Sequence, residues 1–357
     1  MKWGFWMGSI LLLSSCIDEI DLDLPAQQKQ RKVIEGYVER NGQDYLFWAD
    51  VSSTQGISGA PTGQKMQGDF SILYGDDEFS IIQDQLTKIP IVEFHDRYGG
   101  DPASVTFQLV AYVEGDRYLS KRQTLLPVPR ADSLSVQLES RPFLTEVGNI
   151  ISQTYVQLLV HTPLINAVGT PVSLTWSVTS TFEFVEGTRS NPNYQRKTCY
   201  AKNDIFTNDI NIVATQDFPG SDAISDFEIA EVISDYRFSS ANYFTVVQKS
   251  LTQASVEYWK EVKASNERSG NIYDVFPGRI RSNIINESNP AEAINGFFHA
   301  SEVDTMRLRV TNTMAGRPVS KCALWVEPMF ITADDPDPCL NCLMLANSTT
   351  SRPHYWQ

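Results

Sequence analysis

Val105, Phe107, Leu109, Ala111 and Val113 occupy alternate positions of one short run, and Glu114-Gly115-Asp116 turns the chain back toward Tyr118. A period of two puts every apolar side chain on one face of a strand, leaving one dry face and one wet face. The pattern recurs along the chain. Residues 32–39 alternate, Asn41-Gly42 supplies a hairpin turn, and residues 45–51 return. Val156, Leu158 and Val160 alternate, as do Val172, Leu174, Trp176 and Val178, and later Met306, Leu308 and Val310. Half-wet strands of this kind belong in antiparallel sheets, so the expected fold is mostly β.

One segment breaks the rule. Ser250-Leu251-Thr252-Gln253 fits a capping box, and Ala254, Tyr258, Trp259 and Val262 follow at helical spacing up to Gly270. A single amphipathic helix is predicted over 251–268, with Tyr258 and Trp259 packed on a sheet as core residues. Residues 79–94 fit neither period. Leu126-Pro127-Val128-Pro129 reads as a stiff extended link and marks the expected domain boundary. Two β-sandwich-like domains, immunoglobulin- or transthyretin-like, are therefore expected. The first spans residues 31–126, and the second spans 130–357 and carries the helix.

The first residues concern location. Lys2 precedes an apolar run that ends Leu13-Ser14-Ser15-Cys16. The run is far short of the ~20 apolar residues that a spanning helix needs. A charged start, a short apolar core and small residues before a cleavage point describe a signal peptide over residues 1–15. The ending resembles the lipobox of bacterial lipoproteins, which makes Cys16 the expected lipid attachment site. Asp18, Glu19 and Asp21 follow within an acidic tether, residues 16–30, and resemble a surface-export signal. The net charge of −14 becomes more negative on loss of Lys2, and it argues against nucleic acid or an anionic membrane surface as partner.

Beyond Cys16, the cysteines are Cys199, Cys322, Cys339 and Cys342. An even number in an exported chain points to two disulfides, with three possible connectivities. Loop entropy favours pairing Cys339 and Cys342 separately with Cys199 and Cys322, each bond closing a long loop and tying the tail to the second sheet. Cys339-Leu340-Asn341-Cys342 is also compatible with a redox pair or half of a zinc site. The acidic residues before it would raise a thiol pKa, which works against the redox reading. The four histidines, His95, His161, His299 and His354, are scattered without ligand spacing, and no nucleophile elbow or phosphate loop is present. No catalytic, metal or cofactor residues are therefore assigned.

Several stretches taken together resemble one family. They are Cys16 with Ile20-Asp21-Leu22-Asp23-Leu24-Pro25, then Val33-Ile34-Glu35-Gly36-Tyr37-Val38, and Pro127-Val128-Pro129 with Asp132-Ser133-Leu134. Cys199-Tyr200, Tyr258-Trp259, Gly270-Asn271-Ile272-Tyr273-Asp274, Gly296-Phe297-Phe298 and the Cys339/Cys342 pair with Pro353-His354-Tyr355-Trp356 continue the likeness. They resemble the DUF4249 lipoproteins of Bacteroidetes, which have no assigned activity. The resemblance implies an outer-membrane lipoprotein beside a TonB-dependent receptor, working as a non-enzymatic accessory or binding partner in nutrient uptake. A structural or adhesive surface lipoprotein is the alternative, and a surface hydrolase using a carboxylate pair a weaker one.

Overall fold

The computed structural model describes residues 31–54, 64–99, 106–188, 193, 195–205, 210–266, 280–322 and 337–357. The first segment forms β1 (Lys32–Arg40), β2 (Asp44–Ser53), β3 (Gln64–Lys65), β4 (Asp69–Tyr74), β5 (Asp77–Ile81) and β6 (Thr87–Pro90). Helix α1 (Ile91–Tyr98) follows, then β7 (Thr106–Val113), β8 (Asp116–Ser120) and β9 (Gln123–Thr124). The next strands are β10 (Ser133–Leu144), β11 (Ile150–Pro163), β12 (Ser173–Val185), β13 (Thr198–Ile205), β14 (Ile212–Val213), β15 (Ala223–Ile233) and β16 (Asn242–Leu251). Helix α2 (Gln253–Asn266), β17 (Ile284–Asn286), β18 (Phe298–Val310) and β19 (Ser348–Thr349) complete the order. The protein is mostly β, as its alternation predicts.

Ten of these strands form one sheet, ordered β19-β13-β12-β16-β18-β1-β2-β3, with β14 beside β12 and β6 beside β2. Its pairs are antiparallel except one: β1 runs parallel to β18, with Gly36 opposite Phe298 and Arg40 opposite Glu302. A six-stranded sheet (β17-β8-β7-β4-β5 with β9) and a three-stranded sheet (β10-β11-β15) make up the rest.

The register of β18 explains how the two smaller sheets share the large one. Phe298 and Ala300 join the core formed with the six-stranded sheet, among Ile34, Phe47, Phe107 and Leu109. Val310, Met306 and Leu308 join a second core with Val156, Leu158 and Ile229 of the three-stranded sheet. All five are even-numbered positions, so both cores lie on one face of the large sheet. Between them, at the even positions Glu302 and Asp304, sits the link. Glu302 accepts from the Val128 amide at 3.0 Å and Asp304 from the Ala131 amide at 3.2 Å. From β16, Ser250 donates to Leu126 O at 2.6 Å, and the fully buried Gln248 donates to Pro129 O at 2.8 Å and accepts from Trp176 Nε1 at 2.8 Å. The 126–130 link lies in no strand or helix, and it is clamped along its length. Nor is it a boundary of the sheet: β1 from before it pairs with β18 from after it, and Ile284, Ile294 and Phe298 pack in the first core.

Two expectations about helices need correction. Residues 91–98 form α1, a second helix. Its Ile-Val start after Pro90 reads as strand, and its one fully packed residue, Phe94, gives no periodicity to detect. Phe94 is wholly buried against Tyr45 (4.4 Å between centroids) and Tyr74 (4.8 Å), a burial worth about 1.5–3 kcal/mol. Helix α2 is capped by Thr252, whose Oγ1 accepts from the Ser255 amide at 3.2 Å. Ser250 remains in the strand. On α2, Val256 is buried with Ala214 and Leu251, whereas Ala254 is exposed. Gly270, the expected stop, lies outside the described residues.

The parallel pairing rests on a close approach of two backbones. The Ile34 amide donates to Asn295 O at 3.0 Å, Gly36 to Phe297 O at 3.2 Å, and Asn295 to Lys32 O at 2.9 Å. Between these bonds Gly296 has φ +95°, and a Cβ there would lie 2.0 Å from the Ile34 carbonyl oxygen. Both the dihedral and the clash exclude a side chain. Gly296→Ala is expected to destabilise the fold by at least ~3 kcal/mol, read as a lowered urea midpoint. Gly42→Ala, with nothing within 4 Å of the added carbon, is expected to stay within ~0.5 kcal/mol.

Candidate functional site: an aromatic cleft and a cross-linked tail

Alternation that buries Ile34 and Val38 sends Glu35, Tyr37 and Glu39 to the opposite face of the large sheet. Register then sets their neighbours. Tyr37 faces Trp48 on β2 and His299 on β18, and Glu35 faces Asp50. The Tyr37 and Trp48 rings stack with centroids 5.6 Å apart, and His299 continues the row at 5.8 Å from Tyr37. Phe297, just ahead of β18, takes the Tyr258 ring of α2 in a stack at 4.7 Å, with Trp259 edge-on to Tyr258 at 5.2 Å. Between α2 and the sheet these side chains line a cavity of about 130 Å³. Trp259 also borders a larger recess of about 530 Å³ with Thr175, Thr179, Asp204 and Asn211. Tyr258 is buried, as a core residue would be, while Trp259 is half-buried and keeps a face on both cavities.

The charges around the cleft are unevenly matched. The Lys249 ammonium pairs with Glu39 and lies 5.7 Å from the centre of the Tyr37 ring. Burial and Glu39 push the Tyr37 hydroxyl up to about 12, and burial and then Glu35 raise that of Tyr258. Burial, reinforced by Lys249, drops His299 to about 3, so its ring is neutral at any ordinary pH. Glu35 is raised by lost solvation and then by Asp50 across the strands. Asp50 accepts from Gln83 Nε2 at 2.7 Å. The exposed Glu35 carboxylate has no hydrogen bond or ion pair among the described residues. Stacked rings and one unpaired carboxylate therefore share this cleft.

The anchor and export residues, Cys16, Asp18, Glu19 and Asp21, lie outside the described residues. The four later cysteines come together as two pairs. Cys199 and Cys342 have Cα atoms 5.8 Å apart, and Cys322 and Cys339 5.3 Å. Cys339 and Cys342 thus bond to separate partners, but only one ring is long: the sequence separations are 143 and 17. Among the described residues no group of three or more His, Cys, Asp or Glu could hold a metal ion. The buried Glu186 carboxylate accepts from the amides of Cys342 (3.1 Å) and Lys197 (3.0 Å), fixing the bridged turn. Beyond it the tail seats Trp356 against Tyr200 and Tyr243, at 4.9 and 4.7 Å. The other histidines are apart: His161 contacts Asp226 at 3.3 Å, and His95 lies on α1.

The fold and cleft define a mostly β protein whose cavity is walled by rings from three strands and a helix. A family model described as a domain of unknown function (DUF4249) matches residues 17–307, and the chain belongs to that family. The match takes in every residue of the cleft and stops short of Cys322, Cys339, Cys342 and Trp356. No curated protein and no solved structure matches the chain.

Two measurements check this site. Peptide mapping without reduction is expected to return Cys199–Cys342 and Cys322–Cys339 peptides. In the chain-entropy model their removal costs about 5 and about 3 kcal/mol respectively. For His299 the folded pKa lies below the unfolded one, so the unfolded chain binds the extra proton. Stability is full above about 6.5 and declines as pH falls from there toward about 3. His299→Gln is expected to flatten urea midpoints across that window and leave those at pH 8 nearly parallel to the wild type.

Proposed function

We propose that the protein is an outer-membrane lipoprotein, anchored through Cys16, that acts without catalysis of its own as a binding or accessory partner of a TonB-dependent transporter in nutrient uptake. The observation that carries the binding role is the cleft between α2 and the sheet. Its aromatic rings face a cavity rather than filling a core, and Glu35 stands beside them without a partner among the described residues. Cys16 at the end of a short apolar run supports lipid anchorage, since several acyl chains hold a protein that one chain would not. Among the described residues no helix is long and apolar enough to cross a membrane. The acidic run Asp18, Glu19 and Asp21 supports display on the outer surface. Two β-sandwich-like units joined through one sheet would present the cleft as part of a rigid body.

The test is fatty-acid labelling joined to copurification in mild detergent. The wild-type chain is expected to take up label and to bring down a β-barrel receptor. Cys16→Ser is expected to take up none and to leave the membrane fraction. Label on the mutant would overturn the anchor. A labelled wild-type chain that purifies without a receptor, or binds matrix protein instead, would overturn the transporter role in favour of adhesion.

A further inference from the structure

We infer that the cleft between α2 and the sheet binds an organic ammonium group, a cationic nitrogen carrying methyl or methylene carbons, with the rings of Tyr37, Trp48, Tyr258 and Trp259 around it and Glu35 as its counter-charge. This rests on the reading of the cleft as a ligand site and names the chemistry of the ligand.

Size comes first. The space of about 130 Å³ is close to the ~150 Å³ of a cavity that takes one benzene molecule, so it suits a single compact group such as trimethylammonium. The walls come next. Aromatic faces carry negative potential and attract a cation placed within about 6 Å of the ring centre. The chain already uses this attraction here, because the Lys249 ammonium lies 5.7 Å from the Tyr37 centroid. Charge decides between the remaining ligands. Glu35 faces Asp50 across β1 and β2, and like charges opposite one another are unfavourable. Asp50 has Gln83 as a partner, whereas Glu35 has none among the described residues. Glu35 is exposed in the free chain, and a bound cation would offset its repulsion with Asp50.

The same groups exclude other ligands. An anion would meet Glu35 with a neutral His299 beside it, while the nearby Lys249 ammonium is already paired with Glu39. A calcium ion takes six to eight oxygens, and rings cannot supply them. A wholly apolar ligand would strip water from the Glu35 carboxylate and return nothing.

The experiment is calorimetric titration of the full mature chain in detergent with choline and with its uncharged carbon analogue, 3,3-dimethyl-1-butanol. Choline is expected to bind saturably, and the alcohol at least about tenfold more weakly. Glu35→Gln, which keeps the shape of the side chain, is expected to weaken choline by about tenfold or more and to leave the alcohol unchanged. Trp48→Ala is expected to weaken both, and thermal melts of the variants show that the fold persists. Equal or tighter binding of the alcohol would overturn the ammonium assignment, as would choline affinity indifferent to Glu35→Gln. Absence of choline binding up to millimolar concentration would overturn it as well. Copurification of the receptor from the same preparation keeps that failure separate from failure of the transporter role.

Discussion

A single parallel strand pair holds the molecule together. Strand β1 lies between β2 and β18 and joins β2, β3 and β6 to the rest of the large sheet, while β18 reaches from the first core to the second. Its partners are far away in sequence: Arg40 and Glu302, 262 positions apart, are bonded at 2.8 Å. Parallel strands need a long crossover, and here the crossover is most of the protein. The first core therefore closes only when residues 284–300 return to it, because Ile284, Ile294, Phe298 and Ala300 complete its floor. Non-local pairing of this kind folds slowly. The Gly296 approach, with no room for a Cβ, is the local geometry that permits it.

The same strand pair creates the cleft. If β1 is in register with β18 so that Ile34 and Val38 face inward, Tyr37 must face outward beside His299, and Glu35 must face Asp50. On the sheet side the cleft is simply the reverse face of the core strands. Helix α2 then adds Tyr258 and Trp259 from above. The core and the cleft are thus coupled at β1, since a one-residue slip would exchange its core face for its cleft face.

Much of the β content was legible, because alternation survives wherever one face is wet. Strands β7, β11, β12 and β18 stand where Leu109, Leu158, Leu174 and Leu308 alternate with polar residues. The partition into two domains at residue 126 follows the link but not the sheet. Glu302 and Asp304 are charged residues that fall on the apolar face of β18 by parity, and only the structure reveals amides of the link as their partners. The cleft was hidden for a similar reason. Glu35, Tyr37 and Glu39 read as an ordinary wet face, and their neighbours come from β2, α2 and β18. The signal that was available is Gly296-Phe297-Phe298: a glycine before two aromatics marks a tight backbone approach followed by one inward and one outward ring. Similarly, helical spacing counted Tyr258 and Trp259 as core, because periodicity reports which face is apolar and not whether that face is filled.

The ends of the large sheet show why the tail is cross-linked. An edge strand presents unpaired amides and carbonyls that invite another chain. Among the described residues, one edge ends in β3, two residues long, and the other in β19, also two residues long and paired with Tyr200 and Ala201 of β13. So short a strand cannot hold its place by its own hydrogen bonds. The Cys199–Cys342 bridge ties the turn before β19 to β13 itself, and the Trp356 ring packs on Tyr200 and Tyr243 beyond it. The bridge adds little to either main core: Cys199, Cys339 and Cys342 form a small cluster of their own with Phe182 and Phe184. Its physical effect is to convert a weak two-residue pairing into a lasting cover over β13.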